Sequence, residues 1–177
     1  MRKIISLYCD GGVIASNPSA IGGTYAYKLI FEDGTERGQA AVLTPDLAGG
    51  TVTNNQTEML ALLKGLVELP ADFNGTIYSD SQVTLGRVFH GWQWKNIPAW
   101  ICKLYQEQRA RFTDWDAIGY VLLDGHPTRK QLQNGIGKRG NPVSEHNVWC
   151  DQACKEAGES YLATVESNIS STMEVSV

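Results

Sequence analysis

No apolar run in this chain approaches the roughly 20 residues that a membrane-crossing helix needs. The start, Met1-Arg2-Lys3-Ile4-Ile5-Ser6-Leu7, is basic and then apolar, but Tyr8-Cys9-Asp10 interrupts it too early for a secretory signal. Together these absences lead us to expect a cytoplasmic protein with no membrane partner. Cysteine is sparse: Cys9, Cys102, Cys150 and Cys154, with no CxxC pair. Cys150 and Cys154 lie one helical turn apart, yet no other His or Cys pair completes a zinc-site spacing, so reduced, packed thiols are expected. An excess of positive charge is also missing, the net charge being −4. That deficit is local. All 15 Lys and Arg lie at or before Lys155, whereas Glu156, Glu159, Glu166 and Glu174 follow it, so residues 1–155 hold 15 of the 19 acids and are neutral. A polyanionic partner is therefore not excluded. Neither an internal repeat nor a linker interrupts the 177 residues, 42% of them hydrophobic, which suits one domain with a proper core.

What is present is a pattern whose period changes along the chain. Residues 4–10 mix β-formers with apolar residues and read as a strand, while 10–23 are rich in Gly, Ser, Asn and Pro and must turn. Residues 24–31 and 35–43 are strand-like, joined by the hairpin signal Glu32-Asp33-Gly34. Over 57–69, Met59, Leu62, Leu63, Leu66 and Val67 recur at three- and four-residue spacing, predicting a helix with one buried stripe that Pro70 ends. A short buried strand over 76–79 and a short helix over 81–89 follow. After a Trp-rich turn, 98–112 reads as an amphipathic helix with Trp100, Ile101, Leu104 and Tyr105 inward, and 117–123 as the last strand. Residues 125–145 are Gly-, Lys- and Arg-rich and predict a long loop; Ser144 can cap a final helix over about 145–158. The order βββαβααβα specifies one α/β domain over 1–162, a five-stranded mixed sheet flanked by helices. Beyond it, 163–177 form an acidic, Ser/Thr-rich tail expected to be loosely held.

Four carboxylates stand where this order could gather them. Asp10 and Asp80 end short apolar strands that could be neighbours, and two acids so placed repel unless a divalent cation sits between them. Glu58 lies in the first turn of its helix and Asp151 within the last helix. Each has an ordinary explanation alone: Asp10 as a turn residue, Glu58 as a helix-dipole carboxylate, Asp80 as an N-cap, Asp151 as a solvated helix residue. Jointly they suit phosphodiester hydrolysis, which needs an activated water and a stabilised leaving 3′-oxygen. Two Mg²⁺ ions roughly 4 Å apart serve both ends of an in-line displacement, with an aspartate such as Asp10 between them. Mg²⁺ takes oxygen ligands and keeps waters, so a few shared carboxylates suffice, and Mn²⁺ is a substitute of the same kind.

The neighbours of these acids carry a resemblance. Asp10-Gly11-Gly12 followed by Asn17-Pro18 and Gly22-Gly23, then Thr53-Asn54-Asn55-Gln56-Thr57-Glu58, Asp80-Ser81-Gln82, Gly125-His126-Pro127 and Asn147-Val148-Trp149-Cys150-Asp151 resemble, in this order, the motifs of type 1 ribonuclease H. The similarity runs over about 4–157, and the Thr53-to-Glu58 motif is its most specific part. It implies the ribonuclease H-like fold and an endonuclease that hydrolyses the RNA strand of RNA–DNA hybrids, leaving 3′-hydroxyl and 5′-phosphate ends. It implies Asp10, Glu58, Asp80 and Asp151 as metal ligands. His126 joins them in the catalytic set, assisting proton transfer or product release, a task suited to a histidine. Gly11, Gly12, Asn17, Thr53, Asn54, Asn55 and Gln82 match positions that contact the nucleic acid. Amides both donate and accept hydrogen bonds, as does the 2′-hydroxyl that separates RNA from DNA. Thr53 and Asn54 could also hold a DNA phosphate.

Two features depart from the family pattern. Where some members carry a long basic protrusion, Phe89-His90-Gly91-Trp92-Gln93-Trp94-Lys95 is brief and weakly basic. Trp92 and Trp94 could stack on bases or pack against the next helix. The histidine loop is extended by Arg129, Lys130, Lys138 and Arg139, which could replace part of that handle or be solvated. Asp124, just before Gly125-His126, rivals Asp151 as fourth ligand, although the Asn147-x-x-x-Asp151 pattern favours Asp151. Competing functions are a ribonuclease H-like nuclease acting on DNA and a non-catalytic nucleic-acid-binding module. The Asn54-Asn55 pair speaks against the first and the intact acids against the second. A monomer is expected, and no replication partner is evident.

Overall fold

The computed structural model describes residues 2–174, with side chains through 168. Alternating apolar and polar residues put β1 (Ile4–Val13), β2 (Gly23–Phe31) and β3 (Glu36–Leu43) into an antiparallel meander. Its tight hairpin is closed by Phe31 N–H donating to the Thr35 carbonyl and by Gly34 at φ +79°. A single turn of helix, α1 (Pro45–Ala48), precedes α2 (Asn54–Glu68). Then come β4 (Thr76–Ser79), α3 (Gln82–Phe89), α4 (Ala99–Arg111), β5 (Gly119–Leu122), α5 (Arg129–Asn134) and α6 (Glu145–Glu174). The sheet order is β3-β2-β1-β4-β5, with β4 and β5 parallel to β1 and β1 at the centre. One face packs on α2, where Leu7, Leu62, Leu63, Leu66, Ile77 and Ile101 are fully buried. Each such side chain contributes roughly 1.5–3 kcal/mol of burial. On the opposite face α6 lays Cys150 and Cys154 against Ala26.

Five local outcomes differ from the sequence reading, each for a visible reason. β1 runs on through Asp10 because Gly11 and Gly12 still pair with Tyr25 and Thr24, so Asp10 lies inside a strand and not at its end. α2 starts at Asn54 because Thr53 caps it in a reciprocal capping box with Gln56, which places Glu58 beyond the first turn. Trp100 and Val67 face outward, Trp100 because its Nε1–H donates to the Leu47 carbonyl at 2.7 Å. The long loop contains α5, begun by a second capping box of Thr128 and Gln131. Finally, α6 does not stop near Gly158 but continues to Glu174. Gly158 sits against Ile14 and Thr24, which a Cβ there would meet at the ordinary contact distances of 3.5 and 3.6 Å, so the helix packs straight through this position. The backbone over 163–174, read as a loosely held tail, is thus helical, and 175–177 lie outside the described residues. Among the described residues no helix is long and apolar enough to cross a membrane, and all four cysteines are free thiols.

Candidate active site

Strand register places the first two carboxylates side by side. β1 pairs with β4 as Leu7 with Ile77 and Tyr8 with Tyr78, so Asp10 and Asp80 each lie two residues further on, on the same face. The Tyr8 and Tyr78 rings one step back stack at 4.5 Å. Asp10 is buried, its Oδ1 accepting from the Gly11 N–H at 2.7 Å. Glu58 reaches the pair because β1 has no side chain at Gly11, where a Cβ would collide with the backbone of Thr57 and Glu58. Ser81, the N-cap of α3, donates through Oγ to Glu58 Oε2 at 2.6 Å. From the other face, α6 presents two residues one turn apart. Asn147 Nδ2 donates to Asp80 Oδ2 at 3.4 Å, and Asp151 Oδ2 accepts from Lys155 Nζ at 2.6 Å. His126 Nδ1 stands 3.7 Å from the same Asp151 oxygen on an exposed loop, with its backbone held at φ +49°.

The electrostatics are those of acids forced together. Burial pushes the Asp10 carboxyl well above its ordinary range, and Asp80, Glu58 and Asp151 add repulsion that the Gly11 N–H only partly offsets. Burial raises Glu58 to about 7, with Asp80 repelling it while Ser81 and the Arg87 guanidinium pull the other way. Asp80 is raised by burial although His126, Asn147 and Arg139 oppose the shift. Asp10 therefore lies within electrostatic reach of all three other acids. Among the described residues, however, no three His, Cys, Asp or Glu side chains close on a common centre as a ready cation cage. The residues still fit a hard divalent cation: the charged donors are all oxygen, three of them are poised to hold protons too tightly, and Asn147 Oδ1 is buried with no partner beside them. The thiols behind the site are no competitors, since burial raises Cys9 and Cys150 and pushes Cys154 up to about 12.

Asp124, the rival fourth ligand, is tied into the histidine loop. It accepts from the Arg139 N–H at 2.5 Å, Arg139 Nε at 2.9 Å and Asn141 Nδ2 at 2.9 Å. Burial would raise its carboxyl, but these donors hold it below the ordinary carboxylate range. The nucleic-acid candidates flank the acids. Gly11 and Gly12 line a crevice of about 340 Å³ with Asp151 and Lys155. Asn17 Oδ1 accepts from the Asn54 N–H at 3.3 Å, Thr53 caps α2, and Asn54 Oδ1 is buried without a partner. Asn55 and Gln82 are exposed in the first turns of α2 and α3. Trp94 packs on Tyr105 at 4.6 Å, while Trp92 leans over Gly86 and stays 44% exposed.

The model of the RNase H family matches residues 2–159. The chain belongs to the RNase H family. It is accordingly a hydrolase, a nuclease of the ribonuclease H class. Ribonuclease H of Syntrophus aciditrophicus is 29% identical over 161 residues, covering 88% of this chain and 81% of that protein. Ribonuclease H of Rippkaea orientalis is 26% identical over 162 residues, covering 89% and 86%. Among solved structures, the N-terminal RNase H domain of a Mycobacterium tuberculosis protein, fused to maltose-binding protein, superposes with a TM-score of 0.61 at 18% identity over 93% of this chain and 99% of that one. RNase H1 of Halobacterium salinarum does so at 0.58 and 18% identity over 89% and 98%. Within this family frame, three supports of the acids went unread in the sequence: Ser81 on Glu58, Asn147 on Asp80 and Lys155 on Asp151. Only the last had a local signal, the i,i+4 spacing of opposite charges on a helix.

Proposed function

We propose that this chain is an endonuclease that hydrolyses the RNA strand of RNA–DNA hybrids, leaving 3′-hydroxyl and 5′-phosphate ends. The observation that carries the reading is the placement of Asp10 in β1 beside Asp80, the residue just past the adjacent parallel strand β4, with Asp10 within electrostatic reach of Glu58 and Asp151. Asp10, Glu58, Asp80 and Asp151 would hold Mg²⁺, two ions with substrate bound or Mn²⁺ in their place, supplying Lewis-acid activation of the attacking water and charge stabilisation at the leaving oxygen. The protein's own groups orient these acids. Ser81 holds Glu58, Asn147 holds Asp80, and Lys155 holds Asp151 against His126. His126, on a glycine-flanked loop and next to Asp151, is placed to move a proton as product leaves. The amides of Asn17, Asn54, Asn55 and Gln82, with Thr53 and the side-chain-free Gly11 and Gly12, form the surface that reads a 2′-hydroxyl and a phosphate. We take the working form to be a cytoplasmic monomer.

The test offers labelled RNA–DNA hybrid, double-stranded RNA and double-stranded DNA side by side, with and without Mg²⁺. Cleavage of the hybrid alone, dependent on Mg²⁺ and lost in Asp10→Asn with the fold intact, supports the reading. Cleavage of DNA duplex instead, or substantial activity in Asp10→Asn, overturns it.

A further inference from the structure

The histidine loop folds back towards the acids and encloses a cavity that the chemistry above does not use. Its volume is about 480 Å³, bounded by Asp80, Asp124, Gly125 and His126 on the catalytic side and by Thr128, Gln131, Lys138 and Arg139 of the loop, with the Asp124 carboxylate already taken up by Arg139. No aliphatic side chain lines it and its one ring is the His126 imidazole, so an apolar ligand would find little to rest on. The donors are unevenly committed. Arg139 is matched internally, its Nε and N–H both given to Asp124. Gln131 accepts the Thr128 N–H through Oε1, which leaves its amide N–H₂ as a donor. Lys138 is exposed and forms no ion pair among the described residues, so its ammonium is the uncompensated cation of this space.

An ammonium, an amide donor and a hydroxyl lining one cavity suit a phosphate oxygen. A strand held for hydrolysis beside Asp80 must continue past it, and this cavity opens on Asp80 itself. We infer that the cavity is a subsite for a backbone phosphate of the cleaved strand, flanking the phosphate that is hydrolysed, with Lys138 as its principal cation. The inference rests on the proposed hydrolysis of a nucleic-acid strand at Asp80. It also gives the extended loop a task, in a chain whose segment after α3 is brief and weakly basic.

The experiment is equilibrium binding of RNA–DNA hybrid to the full chain carrying Asp10→Asn, over a salt series, alone and combined with Lys138→Ala, Lys138→Arg or Lys130→Ala. Lys130 is exposed on α5, carries the same charge and does not line the cavity. One phosphate contact contributes about 0.7–0.9 to the slope of log K against log salt. Lys138→Ala is expected to lower that slope by about this amount, so that its deficit in affinity shrinks as salt rises. Lys138→Arg should restore the slope, and Lys130→Ala should leave it unchanged. Equal effects of Lys138→Ala and Lys130→Ala would mean a diffuse field and overturn the subsite, as would no effect of Lys138→Ala. Cleavage of hybrid by the unaltered chain reports separately on the proposed function. If another duplex is cleaved instead, the same series on that duplex decides the subsite. Cleavage of no duplex, with no Lys138-dependent binding to any, overturns both.

Discussion

Glu58→Gln should stabilise this protein in the absence of divalent cation, although it removes one of the proposed metal ligands. The glutamine keeps the shape, and its Oε1 can accept from Ser81 Oγ as the carboxylate does at 2.6 Å. The carboxyl is moved from an ordinary 4.5 to about 7, chiefly by burial. At about 1.4 kcal/mol per unit, the ionised form costs the fold roughly 3 kcal/mol. A carboxyl whose folded value is raised binds its proton more tightly when folded. Its full stability is therefore present below about 4.5, falls as pH climbs to about 7, and stays reduced above. For a chain of this size each kcal/mol shifts the melting temperature by about 2–4 °C. Thermal unfolding with EDTA at pH 8 should thus place Glu58→Gln about 6–12 °C above the unaltered chain, with the difference gone near pH 4.5. Saturating Mg²⁺ should raise the unaltered chain more than the variant, by linkage. Melting of the two proteins at the same temperature at pH 8, or a lower value for the variant, would refute the account of a repelling, buried cluster.

Other perturbations separate the roles of neighbouring groups. Asp124→Asn should loosen the histidine loop and slow hydrolysis while the Mg²⁺-induced rise in melting temperature is kept. The carboxyl held low by Arg139 and Asn141 contributes stability that is present above its ordinary value and lost as pH falls through the depressed one, so the variant should match the unaltered chain in strong acid. Asp151→Asn should weaken the Mg²⁺ response and hydrolysis together; a metal defect in Asp124→Asn with none in Asp151→Asn would reverse the assignment of the fourth ligand. His126→Ala should slow turnover and leave the Mg²⁺ response intact, and parallel loss of both would make it a ligand. Gly11→Ala drives a methyl into the backbone of α2, so the urea midpoint should report a loss of about 1–3 kcal/mol or more; unaltered stability and activity would show that this contact does not set the site.

The fold was legible wherever one residue type decides a local structure. Met59, Leu62, Leu63 and Leu66 gave α2 its stripe, Pro70 its end, and Asp33-Gly34 the hairpin. It was illegible where a distant surface decided. Gly158 reads as a stop, but α6 runs on through it to Glu174 because this stretch packs on Ile14, just past β1, and on Thr24 of β2. Trp100 reads as core, but its indole N–H reaches Leu47, 53 positions away. The site divides in the same way. Motif order pointed to Asp10, Glu58, Asp80 and Asp151, and strand register brings the first and third together. That Ser81 serves Glu58 and Asn147 serves Asp80 depends on pairings across 23 and 67 positions, which no spacing in one sequence reveals.

The same distant pairings explain how acids that repel one another are nonetheless kept close. Hydrogen bonds alone would not do it, since each of these carboxylates gains more from solvent than from one serine or one amide. The chain instead brings segments together at positions with no side chain, backbone against backbone at Gly11 and backbone against a carboxylate side chain at Gly125 and Gly137. A Cβ at Gly11 would strike Thr57 and Glu58, one at Gly125 would strike the Asp80 carboxylate, and one at Gly137 would strike Asp124. These three close approaches tie β1 to α2, the histidine loop to β4, and the far arm of that loop to the end of β5. Packed segments cannot move apart without opening voids, so the repulsion is held by close packing of the fold. Burial raises the proton affinity of Asp10, Glu58 and Asp80, and repulsion from neighbouring acids adds to it at Asp10 and Glu58. On the proposed reading, a divalent cation would bind by relieving charge that the fold has already placed.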